Sequence, residues 1–280
     1  MVEWWQSVLL GIVEGVTEFL PISSTGHLTV VEKLMGLTID DPSVTAYTAI
    51  IQIGAMIASV IYFWSDIVRI VRGWFAGLAH ADQRGSDFHM GWAVITGFAV
   101  TSVVGLTLRD VVEGPLRSLW FVVGGLIAWS IVMFAGDRIG RQSRGENSIT
   151  WKDGLILGLF QSVALIPGIS RSGATISGAL FMGIDRVAAT RMSFFLGIPT
   201  LIAAGLLQAV SAAPDIAAPG GVGWTATIIG IVVSFAVAYA SIAWLLKFVA
   251  TNDFTVFVVY RVLFAVVVAA LLLAGLVTPV

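Results

Sequence analysis

The chain has 280 residues, 58% of them hydrophobic and 11% charged, with a mean hydropathy of +0.95. Soluble domains carry about 25% charged residues, so an ordinary soluble fold is excluded. A formal net charge of −2 with no basic run argues against nucleic acid, and the absence of cysteine excludes disulfides, thiolate chemistry and Cys-bound zinc.

In chain order, residues 1–10 lack a basic n-region and a small-residue cleavage site, so no removable signal peptide is expected. Residues 4–36 read as an apolar helix broken at Pro21. Apolar runs near 45–64, 91–108 and 119–136 predict three membrane spans. Residues 151–184 read as a second broken helix, and runs near 192–212, 225–246 and 255–278 predict three further spans. Each half of a broken piece is too short to cross about 30 Å at about 1.5 Å per residue, so each piece should dip in and return on one side. Trp4, Trp5, Trp64, Trp74 and Trp224 suit an aromatic belt.

Residues 10–26 recur, altered, as residues 157–173, without a gap and at an offset of 157 − 10 = 147. Gly11 pairs with Gly158, Glu14 with Gln161, Ser23 with Ser170, Thr25 with Ser172 and Gly26 with Gly173. Met35-Gly36 pairs with Met182-Gly183. The chain therefore reads as a single membrane domain over 1–280, with one repeat in 1–136 and the other in 151–280. Arg69, Arg72 and Arg84 follow the first span, Arg109 and Arg117 lie beside Asp110 and Glu113, and Arg138, Arg141, Arg144 and Lys152 follow the third. Residues 213–223 hold neither Lys nor Arg. Cytoplasmic loops collect these residues, which puts 65–90 and 137–152 inside, with 213–223 and the C-terminus outside. The two halves are then inverted relative to each other. The expected fold class is all-α: a polytopic integral membrane protein of two inverted-topology repeats, with about six transmembrane helices plus paired re-entrant broken helices. Such repeats place a polar site near the bilayer midplane, where the loops 21–27 and 167–173 would meet.

Glu14 and Glu18, at i and i+4, face one way on a helix. Two carboxylates in an apolar helix repel unless a cation or a proton intervenes. They are candidate ligands for a divalent cation, Mg²⁺ or Ca²⁺ by the hardness of oxygen donors, with Glu18 also a candidate base. The plainer reading is an ion pair with Arg171. His27 closes a Ser/Thr/Gly loop and is a candidate catalytic group, whereas His80 and His89 read as solvated. Arg171 at membrane depth suits bidentate phosphate binding. Ser23, Thr25, Gly26, Ser170, Ser172, Gly173 and Thr175 would complete a phosphate cradle, in which glycines let backbone N–H groups approach closely. Gln52 and Gln161 are candidates for a supporting shell around the site, or for packing.

These residues carry a resemblance. Glu14 to Glu18, running into Leu20-Pro21-Ile22-Ser23-Ser24-Thr25-Gly26-His27, is similar to the Glu-rich motif of the bacterial undecaprenyl-pyrophosphate phosphatase family of the bacitracin-resistance type. Pro167-Gly168-Ile169-Ser170-Arg171-Ser172-Gly173-Ala174-Thr175 is similar to its second motif, and length and repeat layout agree over the whole chain. The resemblance implies hydrolysis of undecaprenyl pyrophosphate to undecaprenyl phosphate and phosphate, recycling the lipid carrier for cell-wall synthesis and conferring bacitracin resistance. It implies a divalent cation and an outward-opening site in the bacterial inner membrane, with functional residues at Glu14, Glu18, Ser24, His27 and Arg171. The expected partners are a polyprenyl pyrophosphate lipid and the bilayer, and a homodimer is compatible with the sequence. The nucleophile stays open among Ser24, His27 and a metal-bound water, with Ser24 preferred. A transporter or lipid flippase built on the same repeats is the alternative; an intramembrane serine protease would need neither two Glu nor an Arg.

Overall fold

The computed structural model describes residues 2–39, 41–108, 118–218 and 221–279. All its named elements are helices. Helices α1 (Trp4–Thr17) and α2 (Ser24–Leu34) form a first hairpin, followed by α3 (Pro42–Tyr62), α4 (Trp64–Ala79), α5 (Ser86–Thr107) and α6 (Leu119–Ile139). Helices α7 (Trp151–Val163) and α8 (Arg171–Phe181) form a second hairpin, followed by α9 (Arg186–Ala217), α10 (Trp224–Val249) and α11 (Thr255–Leu273). Six helices are long and apolar enough to cross a membrane: α3, α5, α6, α9 through its Arg186–Leu207 stretch, α10 and α11. They coincide with the six expected spans, and the chain is a multi-pass membrane protein.

Helix starts follow local chemistry. Asp41 accepts from the Ser43 N–H while Pro42 fills the first helical position of α3. Thr150 and Asp153 form a capping box at α7, and Asp185 accepts from the Ala188 N–H at α9. The stretch 65–90, expected as a loop, departs from expectation. Most of it is α4, an amphipathic helix laid along α5, with the α5 residue Phe88 against Gly77 and Trp74 of α4 against Gly91 of α5. Its charges lie along one face, which lowers average hydropathy without breaking the helix. Trp74 is accordingly part-buried between helices rather than in a surface belt, whereas Trp4, Trp5, Trp64 and Trp224 are exposed. His80 and His89 are exposed as expected, although His89 lies within α5. Arg109, Asp110, Glu113 and Arg117 lie outside the described residues.

The hairpins open at different ends of the bundle. Val2 at the start of α1 and Val31 and Met35 at the end of α2 share one apolar cluster with Ile216, Val222 and Ala226, around the α9–α10 connection. The ends of the second hairpin meet through Arg144, whose N–H donates to the Gly183 carbonyl and whose guanidinium binds Asp153 at 2.9 Å. This second end is rich in charge. Arg191 binds Asp66 at 2.8 Å and Glu146 at 2.5 Å, Arg186 binds Asp137 at 2.7 Å, and Arg138 binds Asp253 at 3.3 Å. The N–H of Thr255 donates to Asp253 and holds that loop carboxyl below its ordinary pKa.

Each hairpin packs on a helix from the other half of the chain. Helix α1 lies on α10, and α7 lies on α5. The contacts run along stripes of small residues that obey the repeat offset: Ser7, Gly11 and Gly15 in α1, and Gly154, Gly158 and Ser162 in α7. A Cβ on any of the four glycines would collide with carbonyls of the facing helix, those of Gly230, Ser234, Ala93 and Gly97. Close backbone approach of this kind replaces hydrophobic burial as the source of packing in lipid.

Candidate active site

Both hairpins turn through a serine with left-handed backbone, Ser23 at φ 77° and Ser170 at φ 75°. Non-glycine residues pay strain there. The two positions are one repeat apart (170 − 23 = 147), and each is the N-cap of the helix that follows. The turns therefore bring the N-termini of α2 and α8, with their unpaired N–H groups and positive dipole ends, to the tips of the hairpins. Gly168, at φ 91°, lies against the Val122 carbonyl with no room for a Cβ.

The two tips enclose a polar cavity of about 200 Å³. The first contributes Glu18, Ser23, Ser24 and Thr25, the second Pro167, Gly168, Ser170 and Arg171. Gln52 from α3 and Thr200 from α9 complete the wall. The Ser24 hydroxyl donates to Glu18 Oε2 at 2.7 Å, and Arg171 Nη2 donates to Glu18 Oε1 at 2.9 Å. A hydroxyl, a carboxylate and a guanidinium from both halves of the chain thus form one connected unit.

At the tips, two buried polar atoms are left unsatisfied. Arg171 Nη1 and Glu14 Oε1 have no hydrogen-bond partner among the described residues, and Glu14 is only 1% exposed. Buried polar atoms rarely stay unpaired without a reason. An unused guanidinium nitrogen suits an incoming anion. An unused, buried carboxylate oxygen one turn before Glu18 suits a cation. No three acidic or imidazole groups converge on a complete metal site among the described residues. Mg²⁺, however, is commonly held by one or two carboxylates plus substrate phosphate. Glu14 and Glu18 offer a carboxylate pair of that kind, with Glu14 outside the cavity lining and both oxygens of Glu18 engaged by Ser24 and Arg171.

The remaining expected site residues separate into lining and support. His27 does not line the cavity. Its Nδ1 donates to the Ser23 carbonyl at 2.8 Å, which leaves Nε2 to accept from the Tyr260 hydroxyl at 2.8 Å. Its ring stacks on Phe264 with centroids 3.8 Å apart. Both nitrogens are thus engaged, and the ring stands against α11 beside the first loop. Ser172 donates to the Leu20 carbonyl, the Gly173 N–H donates to the Ser170 hydroxyl, and Thr175 donates to the Arg171 carbonyl. These three, with Gly26, support the loops from behind rather than lining the cavity. Gln161 donates to the hydroxyls of Thr101 and Thr200, both at 3.1 Å. Sequence reasoning missed Thr200, Tyr260 and Arg261. A lone Arg within an otherwise apolar span was the available signal for Arg261.

Fold and site together define a polytopic α-helical membrane protein with an intramembrane hydroxyl–carboxylate–guanidinium centre. The chain belongs to the bacitracin resistance protein BacA family, whose model matches residues 7–267. It is 54% identical to an undecaprenyl-diphosphatase of Cutibacterium acnes, over 98% of this chain and 99% of that one. It is also 54% identical to undecaprenyl-diphosphatase 3 of Frankia casuarinae over 98% of each chain, and 50% identical to undecaprenyl-diphosphatase 1 of Streptomyces avermitilis over 96% of each.

Proposed function

We propose that this protein is an undecaprenyl-diphosphatase, hydrolysing undecaprenyl pyrophosphate to the monophosphate carrier and phosphate. The observation that carries this reading is the Ser24–Glu18–Arg171 unit, which joins nucleophile, base and anion clamp in one polar cavity. Arg171 turns from Glu18 toward the pyrophosphate, offering its unpaired Nη1 to phosphate oxygens. The N-termini of α2 and α8 face the same charge. Ser24 Oγ attacks the terminal phosphorus and its proton passes to Glu18 Oε2. The bond from that phosphorus to the bridging oxygen breaks, and the electron pair leaves on the lipid phosphate. Glu18 hands that proton to the departing lipid phosphate and then deprotonates water, which attacks the phosphoserine phosphorus; the Ser24 Oγ–P bond breaks, Oγ takes the proton back from Glu18, and phosphate leaves. His27 holds Ser23, and so the loop, through the Ser23 carbonyl. A divalent cation held by Glu14 and Glu18 would neutralise phosphate charge.

The reading includes inverted-topology repeats, 1–136 and 151–280. It is supported by hairpins that open at different ends and by the reciprocal packing of α1 on α10 and α7 on α5. The arginine-rich end faces the cytoplasm of a bacterial inner membrane, and the cavity serves the outer side. The test is phosphate release from undecaprenyl pyrophosphate by detergent-purified protein. Release that is abolished by chelator and restored by Mg²⁺ or Ca²⁺ is expected. No release in detergent, where transport cannot be measured, would favour a transporter or flippase on the same scaffold.

A further inference from the structure

Arg261 in α11 is fully buried, and among the described residues it has no carboxylate within ion-pair distance. Its donors go to neutral oxygens on three separate segments. Nε donates to the Ser130 hydroxyl at 3.1 Å. Nη1 donates to the Pro21 carbonyl at 3.0 Å. Nη2 donates to the Gly168 carbonyl at 3.0 Å and to the carbonyls of Gly125 and Leu126, both at 3.3 Å. Pro21 and Gly168 are the helix breaks of the two hairpins. One guanidinium therefore ties the first loop, the second loop and α6 together. A buried cation without a counter-ion is expensive in a bilayer and persists where it does something a neutral residue cannot. Only a planar group with five N–H donors can reach these oxygens at once.

We propose that Arg261 is a positioning residue that sets the two hairpin tips in register, so that Ser24 and Glu18 of one meet Arg171 of the other. Its neighbour Tyr260 acts alongside it, holding the first loop through His27. The inference rests on the phosphatase reading for its kinetic consequence but not for its structural one. Arg261→Lys keeps the charge and loses the fork. A small displacement of reacting groups costs about 100-fold in rate, so kcat should fall by about that factor while KM changes little. Because Arg261 acts through Arg171, adding Arg261→Lys to Arg171→Lys should cost far less than the product of the two single losses.

Amide hydrogen exchange on the purified full chain gives a readout that does not depend on activity. In Arg261→Lys, exchange should rise in residues 18–27 and 165–173 together and stay unchanged in α4 and α5. Ser130→Ala, which removes one acceptor, gives a milder version if the lysine variant does not fold. It should cost kcat about fivefold and loosen the same two segments. Unchanged exchange in both loops, or a rise throughout the molecule, would overturn the positioning role whatever the wild-type activity. So would near wild-type kcat in Arg261→Lys, given an active wild type. An inactive wild type with the paired loosening present would sink the phosphatase reading and leave the brace standing.

Discussion

The two hairpin tips share a backbone and divide the chemistry. Both turn through a strained serine that caps a helix, Ser23 in one and Ser170 in the other. Yet Glu14 and Gln161, one repeat apart, meet opposite conditions. The amide of Gln161 is satisfied by Thr101 and Thr200, whereas a carboxylate oxygen of Glu14 is buried with no partner. Ser24 and Arg171, also one repeat apart, converge on the two oxygens of Glu18. Duplication supplied two equivalent frames. The second contributes a guanidinium whose Nη1 has no partner among the described residues, and the first an acid whose Oε1 has none. The difference teaches that equivalent frames can carry opposite charges, each with one unpartnered polar atom, so that residue identity decides which ion each attracts.

The largest effect should come from removing the attacking oxygen. Ser24→Ala should lower kcat about 1,000-fold or more, since no neighbouring base can replace the lost atom. His27→Ala should leave measurable turnover, as expected of a brace. Single-turnover phosphate release on both variants decides, and substantial turnover by Ser24→Ala would move the attack to another group. Breaking the clamp comes next. Arg171→Lys keeps the charge but loses the fork, and should cost about 100-fold in kcat/KM. Near wild-type turnover would reduce Arg171 to an ion-pair partner of Glu18.

A smaller effect sharpens the comparison directly. Glu14→Gln should lower activity about 30-fold and flatten its dependence on divalent cation. Gln161→Leu should leave activity within about threefold but lower the melting temperature, because it strips a partner from the hydroxyls of Thr101 and Thr200. Equal kinetic losses in the two variants would erase the distinction between the tips. The mildest perturbation tests orientation. In this cysteine-free chain, Ser143→Cys should resist an impermeant thiol reagent in intact cells and Asp215→Cys should react, with activity unchanged in both. The reverse labelling would turn the cavity to face the cytoplasm.

Much of this architecture was legible in the chain itself. Six apolar runs became six long helices because lipid demands about twenty apolar residues in a row, a signal that few other structures imitate. The offset of the repeat brought Glu18, Ser24 and Arg171 together before any coordinates were needed. What escaped has a common cause. Helix α4 spaces Asp66, Arg69 and Arg72 three residues apart among apolar residues, so an average over it resembles a loop. Tyr260 meets His27 from 233 positions away, Arg261 meets Pro21 and Gly168 from 240 and 93, and Thr200 meets Gln161 from 39, so nothing local marks them. His27 sits in the right motif, but its partners on α11 decide which way its nitrogens are used. Tertiary partners of this kind leave no periodicity to read.

The crossed packing of the hairpins has a consequence for how the protein is made. Helix α1, bearing Glu14, leaves the ribosome well before α10, the surface it rests on, and Arg261 follows later still with α11. Glu14 and Glu18 must therefore wait, without their final neighbours, until α10 and α11 have been inserted. Such long-range closure makes maturation slow relative to local helix formation. A nascent chain arrested before α11 would hold Glu14, Glu18 and Arg171 while lacking Arg261, which ties their two loops together.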